Sequence, residues 1–218
     1  MKLYGSLASP YVARVVLFAR LKGIAHEPEM PAVGIKSDAY LAKNPMGKMP
    51  LLEVEGAVLP ESDVICEYLE DLNPGRGGLP RAPAERAVAR LLPRIVDTYA
   101  WPPARVLFDS LNPAQRDAAA VSRATESLSR SFGYLEHFVM AAPFAAGANL
   151  SLADCALIPA METLRKTVIP AFGVADPTAG SGKLARWWNS VASDPTAGEF
   201  RQQFGVAFDA FLKMIMGK

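Results

Sequence analysis

Pro74-Gly75-Arg76-Gly77-Gly78-Leu79-Pro80-Arg81-Ala82-Pro83 separates two kinds of sequence. Three prolines and three glycines in ten positions can continue neither a helix nor a central strand, so residues 77–83 read as a linker between a domain at 1–76 and another at 84–218. On the N-terminal side the signals alternate. A short strand is predicted at Lys2 to Gly5, a helix from Pro10 to Lys22 and a strand near Glu27 to Met30. A short helix follows at Ser37 to Ala42, then strands at Pro50 to Val54 and Ala57 to Leu59 around the turn Glu55-Gly56, then a helix from Ser62 to Leu72. The order is βαβαββα. Val12, Val15, Val16 and Ala19 recur at helical spacing, as do Ile65, Tyr68, Leu69 and Leu72, and each stripe is expected to face a sheet. Beyond the linker no strand pattern occurs. Leu128, Phe132, Leu135 and Val139 keep the helical period, and Ala153, Ala156, Leu157, Ala160 and Leu164 repeat it, so the second domain reads as all-helical.

Composition narrows the classes. Of 218 residues, 50% are hydrophobic and 21% charged, which excludes a disordered chain and supports a buried core without disulfides or a structural metal. Lys and Arg number 23 against 22 Asp and Glu, a net charge of +1 that argues against a nucleic-acid partner. The longest charge-free stretch, Phe138 to Ala153, is broken by Pro143, Gly147, Asn149 and Ser151 and falls short of the ~20 apolar residues of a membrane helix, so no membrane partner is expected. The N-terminus lacks a signal-peptide pattern, and Cys66 and Cys155 lie far apart within helical patterns, as expected of buried thiols in a reduced, cytoplasmic protein. No metal is expected, because no Cys or His lies at ligand spacing; His26 and His137 receive no catalytic role.

Three segments carry possible chemistry. Ser9-Pro10-Tyr11-Val12-Ala13-Arg14 stands where the first strand meets the first helix, with Ser9 at the N-cap and Pro10 at the first helical position. Ser9 is either a simple cap or a hydroxyl that assists the helix N-terminus in stabilising an anion such as a thiolate. Asn44-Pro45-Met46-Gly47-Lys48-Met49-Pro50 is a turn ending in a proline at a strand start. A cis bond before Pro50 would free the Met49 backbone to pair with an extended peptide. Glu61-Ser62-Asp63 opens the third helix, where Ser62 or Glu61 caps it, or where a hydroxyl and helix N–H groups receive a carboxylate while Glu61 receives an ammonium.

Together these segments resemble the cytosolic glutathione transferase family over essentially the whole chain. The match lies in Ser9-Pro10 with Arg14 five residues on, in Asn44-Pro45-x-Gly47-x-x-Pro50, in Glu61-Ser62, and in the capping box Ser151-x-x-Asp154. The serine at the thiol position resembles bacterial-type members. The resemblance implies a thioredoxin-like N-terminal domain, a helical C-terminal domain, a homodimer, and glutathione as co-substrate. It assigns Ser9 to the thiolate, the Met49 backbone and Pro50 to the cysteinyl part, Glu61 and Ser62 to the γ-glutamyl end, and Lys36 or Lys48 to the glycyl carboxylate. Tyr4 and Ser6 are two further hydroxyls that could contact the thiol in place of Ser9.

A pocket for a small hydrophobic electrophile is expected near the first loop and the fourth helix, where Tyr11, Tyr99, Trp101, Arg105 and Phe108 are candidates for its lining or for plain packing. Trp101-Pro102-Pro103 is expected to end or kink that helix. Family members that reduce mixed disulfides need a cysteine where Ser9 stands, because only a thiolate attacks the glutathionyl sulfur. Conjugation or substitution, as in detoxification, is therefore the favoured activity. A glutathione-dependent reductase or lyase and a non-catalytic binding or regulatory protein are the alternatives.

Overall fold

The computed structural model describes residues 1–24 and 26–216, the last by its backbone alone. The chain forms two compact units. One comprises Met1–Leu79 and the C-terminal residues from Gln202 on; the other is Pro80–Arg201.

In the first unit, β1 (Lys2–Tyr4), β2 (Leu51–Val54) and β3 (Ala57–Pro60) make an antiparallel sheet in that order, with Leu3 opposite Leu52 and Leu51 opposite Pro60. Leu3, Leu51, Leu52 and Val54 are buried, whereas Ala57 and Val58 on the edge strand are exposed. Glu55 and Gly56 both take positive φ (47° and 79°), the two-residue hairpin whose twist matches its strands. The strand expected at Glu27 to Met30 is reduced to one parallel bridge, Tyr4 to Glu29. Gly5 N–H donates to Glu29 C=O and Glu29 N–H to Leu3 C=O, both at 2.9 Å. Pro28 and Pro31 flank Glu29 and lack the N–H groups that would extend the ladder.

Helices α1 (Pro10–Leu21), α2 (Asp38–Leu41) and α3 (Ser62–Leu72) complete this unit. The α1 stripe is wider than a sheet-facing one: every residue from Val12 to Ala19 is buried, Arg14 included. Packing against α3 takes up the second side. At their C-terminal ends the two helices are joined by a buried ion pair, Lys22 Nζ to Glu70 Oε2 at 2.8 Å. Lys22 Nζ also donates to the Gly77 carbonyl at 3.2 Å, and Asn73 Nδ2 to the Lys22 carbonyl at 2.9 Å. At the other end of α1, Gly5 has φ 153° and a Cβ there would overlap the Val12 side chain, so glycine permits the chain to turn closely over the start of the helix.

The second unit holds α4 (Pro83–Ile95), α5 (Trp101–Asp109), α6 (Ala118–Phe138), α7 (Leu152–Lys166), α8 (Val168–Phe172) and α9 (Lys183–Ser193); α10 (Pro195–Met216) begins there and ends in the first unit. The break expected at Trp101-Pro102-Pro103 takes the form of a π-helical turn, Val96–Ala100, between α4 and α5. Pro102 and Pro103 then fall directly after the π turn, within one continuous helical run whose bonding the wider turn locally alters. Among the described residues no helix is long and apolar enough to cross a membrane.

Helix α7 is the core of this unit, with Ala153, Ala156, Leu157, Ala160 and Leu164 all buried. Its capping box forms, and Asp154, wholly buried, does more than cap. Its carboxylate accepts from the Ser151 N–H (2.9 Å), the Ser151 hydroxyl (2.9 Å), the Ala145 N–H (2.9 Å) and Trp187 Nε1 (2.8 Å). Cys66 and Cys155 form no disulfide and are both buried, and burial pushes the Cys66 thiol well above its ordinary pKa.

Asp154→Ala strands buried donors from the preceding loop, α7 and α9, each costing about 1–3 kcal/mol when left unmade. The variant is expected to lose roughly 3 kcal/mol or more, read from its urea midpoint. Burial raises the Asp154 pKa against the pull of those hydrogen bonds. A carboxyl with a folded pKa above its unfolded one favours the folded state at low pH and loses that contribution as pH rises through the folded value. Asp154→Asn should remove that component of the pH dependence, at a lower overall stability.

Candidate active site

Ser9 precedes α1 with extended backbone (φ −81°, ψ 124°), and its side chain makes no capping hydrogen bond. Its N–H donates to the Ser6 carbonyl and its own carbonyl accepts from Ala13 N–H, both at 2.9 Å. The backbone is thus fixed while the half-buried hydroxyl has no partner among the described residues. The other two hydroxyls each have a partner, Tyr4 as donor and Ser6 as acceptor. Tyr4 Oη donates to Glu53 Oε2 at 3.1 Å, and Ser6 Oγ accepts from Ala8 N–H at 3.3 Å. Glu53 is held on its other side by Lys43 at 2.6 Å, and chiefly that bond lowers the Glu53 pKa.

The peptide bond between Met49 and Pro50 is cis. No backbone partner for the Met49 N–H or C=O occurs among the described residues. The loop before it is braced from within. The Lys48 carbonyl accepts from Tyr40 Oη at 2.7 Å and from Asn44 Nδ2 at 2.8 Å, while Asn44 Oδ1 accepts from Met46 N–H at 3.2 Å. Gly47, at φ 57°, lets the loop close on Ile35 and Lys36: a Cβ there would lie 2.8 Å from Lys36 Nζ. Lys36 and Lys48 thereby belong to one loop cluster, with no ion-pair partner for either among the described residues. Tyr40 is a brace that the sequence reading missed. Its only sequence signal is an aromatic residue on a one-turn helix, and only folding places its hydroxyl on a carbonyl eight residues later. Burial raises its pKa, which keeps it a donor.

Glu61 is exposed and adopts φ 70°, ψ 119°, a left-handed conformation costing a non-glycine residue about 1–3 kcal/mol. Its side chain makes no capping bond, so the reading of Glu61 as a side-chain cap does not hold. Ser62 follows as the first residue of α3, 4% exposed. Its Oγ accepts from Arg14 Nη1 at 3.2 Å, and the same nitrogen meets Asp63 Oδ1 at 2.6 Å. The first-turn N–H groups of α3 have no intrahelical acceptors and confer a partial positive charge. Ser9, the 47–50 loop, Glu61 and Ser62 all belong to the first unit, and Tyr11, half-buried on α1, lies under the Arg14 guanidinium, 5.4 Å from ring centre to Cζ.

The remaining candidates belong to the second unit. Trp101, Arg105 and Phe108 share one face of α5 by helical spacing, while Ala104 and Leu107 fill the core side. Tyr99, on the π turn, is half-exposed and meets Tyr134 edge-on with ring centres 5.5 Å apart. Arg105 is exposed and pairs with Asp109 at 3.1 Å. Trp187 and Trp188 are buried, the former with its indole N–H on Asp154. Among the described residues no three His, Cys, Asp or Glu side chains gather as a metal site.

Residues 3–77 match the family described as glutathione S-transferase, N-terminal domain, and residues 91–195 match glutathione S-transferase, C-terminal domain. A glutathione S-transferase of Pseudomonas putida is 31% identical over 219 residues, covering 99% of this chain and 97% of its own. A rice protein (Oryza sativa subsp. japonica) named probable glutathione S-transferase GSTU6 is 35% identical over 164 residues, 72% of this chain and 69% of its own. Among solved structures, a Tau class glutathione S-transferase from mango (Mangifera indica) superposes with a TM-score of 0.76 at 25% identity, over 98% of this chain and 97% of its own. A maleylacetoacetate isomerase from Methylobacterium extorquens with bound malonate and GSH superposes with a TM-score of 0.70 at 27% identity, covering 94% and 97%. The chain belongs to the glutathione S-transferase family of enzymes. Its N-terminal unit is the thioredoxin-like domain of that family and its C-terminal domain is helical.

Removing the Tyr40 hydroxyl or the Asn44 amide takes one donor from the Lys48 carbonyl. Tyr40→Phe should cost about 1 kcal/mol and Asn44→Ala, which also takes the acceptor from the Met46 N–H, about 2, measured by thermal or urea unfolding.

Proposed function

We propose that this chain transfers glutathione to a small hydrophobic electrophile, with Ser9 stabilising the glutathione thiolate. The observation that carries the reading is the Ser9 hydroxyl, at a helix start whose backbone is fixed and engaged by no protein group among the described residues. Tyr4 is committed as a donor to Glu53, whereas Ser6 only accepts from the Ala8 N–H, so what favours Ser9 over Ser6 is its place at the positive end of α1. A hydroxyl aimed at sulfur and the positive end of α1 both favour the anion, so the thiol loses its proton more readily. The nucleophile is then the substrate's own sulfur. It attacks the electrophilic carbon while the leaving group departs, or adds to an activated double bond that takes up a proton.

The remaining cradle follows from the same chemistry. The Met49 backbone, which has no backbone partner among the described residues and precedes the cis Pro50, suits the cysteinyl residue of an extended tripeptide. The start of α3 with Ser62 suits the γ-glutamyl carboxylate, and Glu61, exposed beside it, suits the γ-glutamyl ammonium. Lys36 and Lys48 supply cations for the glycyl carboxylate. Tyr11, Tyr99, Trp101, Arg105 and Phe108 are the proposed contacts of the electrophile. Serine rather than cysteine at position 9 disfavours disulfide reduction, which needs a protein thiolate. Assembly as a homodimer, a cytoplasmic location and a detoxification role are proposed on family grounds.

Calorimetry should give saturable glutathione binding, and the ultraviolet absorbance of the bound thiolate should appear below the ordinary thiol pKa of about 8.5. In Ser9→Ala, one charge-assisted hydrogen bond is lost, roughly 1.5–3 kcal/mol, or about ten- to a hundredfold in turnover. Glutathione affinity should change about threefold at most, because the cradle keeps its other contacts. Equal turnover in the variant would remove Ser9 from the reaction. Binding without a lowered thiol pKa would mark a carrier or regulatory protein instead.

A further inference from the structure

We propose that Arg14 is a positioning residue for the carboxylate end of the site, acting through Ser62 rather than on the ligand. The inference rests on the glutathione reading above and adds to it a residue at the back of the site. Arg14 is 2% exposed, so its guanidinium has no surface to offer a ligand. A guanidinium donates and never accepts, so in the 3.2 Å bond between Arg14 Nη1 and Ser62 Oγ the hydroxyl oxygen is the acceptor. The single hydroxyl hydrogen of Ser62 must then point elsewhere, and no acceptor for it occurs among the described residues, although Ser62 is only 4% exposed. A buried hydroxyl hydrogen without an acceptor is costly and is relieved by an incoming one.

Two further contacts fix the guanidinium. Asp63 Oδ1 takes the same Nη1 at 2.6 Å and balances its charge, and the Tyr11 ring lies 5.4 Å from Cζ. Ser62 therefore presents an oriented donor beside the first-turn N–H groups of α3, where a ligand carboxylate gains both. Arg14 and Ser9 belong to the same helix and its cap, so the contact also ties the thiol end of the site to its carboxylate end.

The test is glutathione affinity, by calorimetry, in the wild type, Arg14→Lys, Ser62→Ala and the double variant. Arg14→Lys keeps a charge on α1, but its side chain ends one bond short of the position of Nη1, the nitrogen that serves both Asp63 and Ser62. It is expected to weaken glutathione binding about tenfold when Ser62 is present and less than about twofold in the Ser62→Ala background. The analogue in which 4-aminobutyrate replaces the γ-glutamyl residue lacks that carboxylate and should bind wild type and Arg14→Lys alike. The thiol pKa of bound glutathione should be the same in both. If Arg14→Lys does not fold, Arg14→Gln takes its place with the same expected dependence on Ser62. An equal loss in both Ser62 backgrounds, an equal loss with the analogue, or no loss at all overturns the positioning role while leaving the glutathione site intact. Failure of the wild type to bind glutathione overturns the functional reading itself, and this inference with it.

Discussion

Helices α1 and α3 are held to one another by buried cations at both ends, and the candidate site depends on that pairing. Lys22 meets Glu70 at the C-terminal ends, and Arg14 meets Ser62 and Asp63 at the start of α3. Burying a lysine or an arginine is unfavourable unless each charge is paired. Here the pairs are short and supplemented, Lys22 by the Gly77 carbonyl and Arg14 by the Ser62 hydroxyl. Such pairs add little net stability over apolar packing. What they bear on is register, since the alignment of α1 against α3 satisfies both at once.

From that alignment the two helix starts of the candidate site acquire fixed positions within one unit. Ser9 stands at the beginning of α1 because Gly5 permits the strand to turn over Val12, and Pro10 begins the helix without needing a donor. Glu61 is forced into a left-handed conformation at the beginning of α3. A strained residue with an exposed side chain next to a helix N-terminus is well suited to a ligand contact and has no evident packing role. The loop through Pro50 is held by Tyr40 and Asn44, both acting on one carbonyl, so the Met49 backbone is presented by a rigid support.

The helical unit solves a different problem. Its central helix α7 is buried on nearly all sides, which would leave its first N–H groups and the preceding loop without water. The capping box meets both needs: the Ser151 side chain takes the Asp154 N–H of the first turn, and the Asp154 carboxylate takes the N–H groups of Ser151 and Ala145 and the indole of Trp187. The π turn ahead of α5 lets Tyr99 and the Trp101, Arg105 and Phe108 face be set without breaking the helix at two consecutive prolines.

An α/β part followed by a helical part was legible in the amino-acid order, because proline and glycine density at 74–83 and the change from alternating to helical periodicity depend on local stereochemistry; that the residues from Gln202 on group with the first part was not. So were the helix starts: Ser9-Pro10, Glu61-Ser62 and Ser151-x-x-Asp154 all stand where such residues begin a helix. The strand at Glu27 to Met30 was misread in extent, since its two flanking prolines decide how many ladder bonds can form. Which hydroxyl has no protein partner among the described residues became visible only in three dimensions. Tyr4, Ser6 and Ser9 are equivalent in sequence, and their partners come from β2, from the next turn, and from no described residue respectively. Likewise Arg14 and Ser62 are 48 positions apart, and Tyr40 and Lys48 belong to different local elements. Hydrogen-bond partnership is a property of distance in space, which local pattern does not encode, and it separates a capping residue from one left open to a ligand.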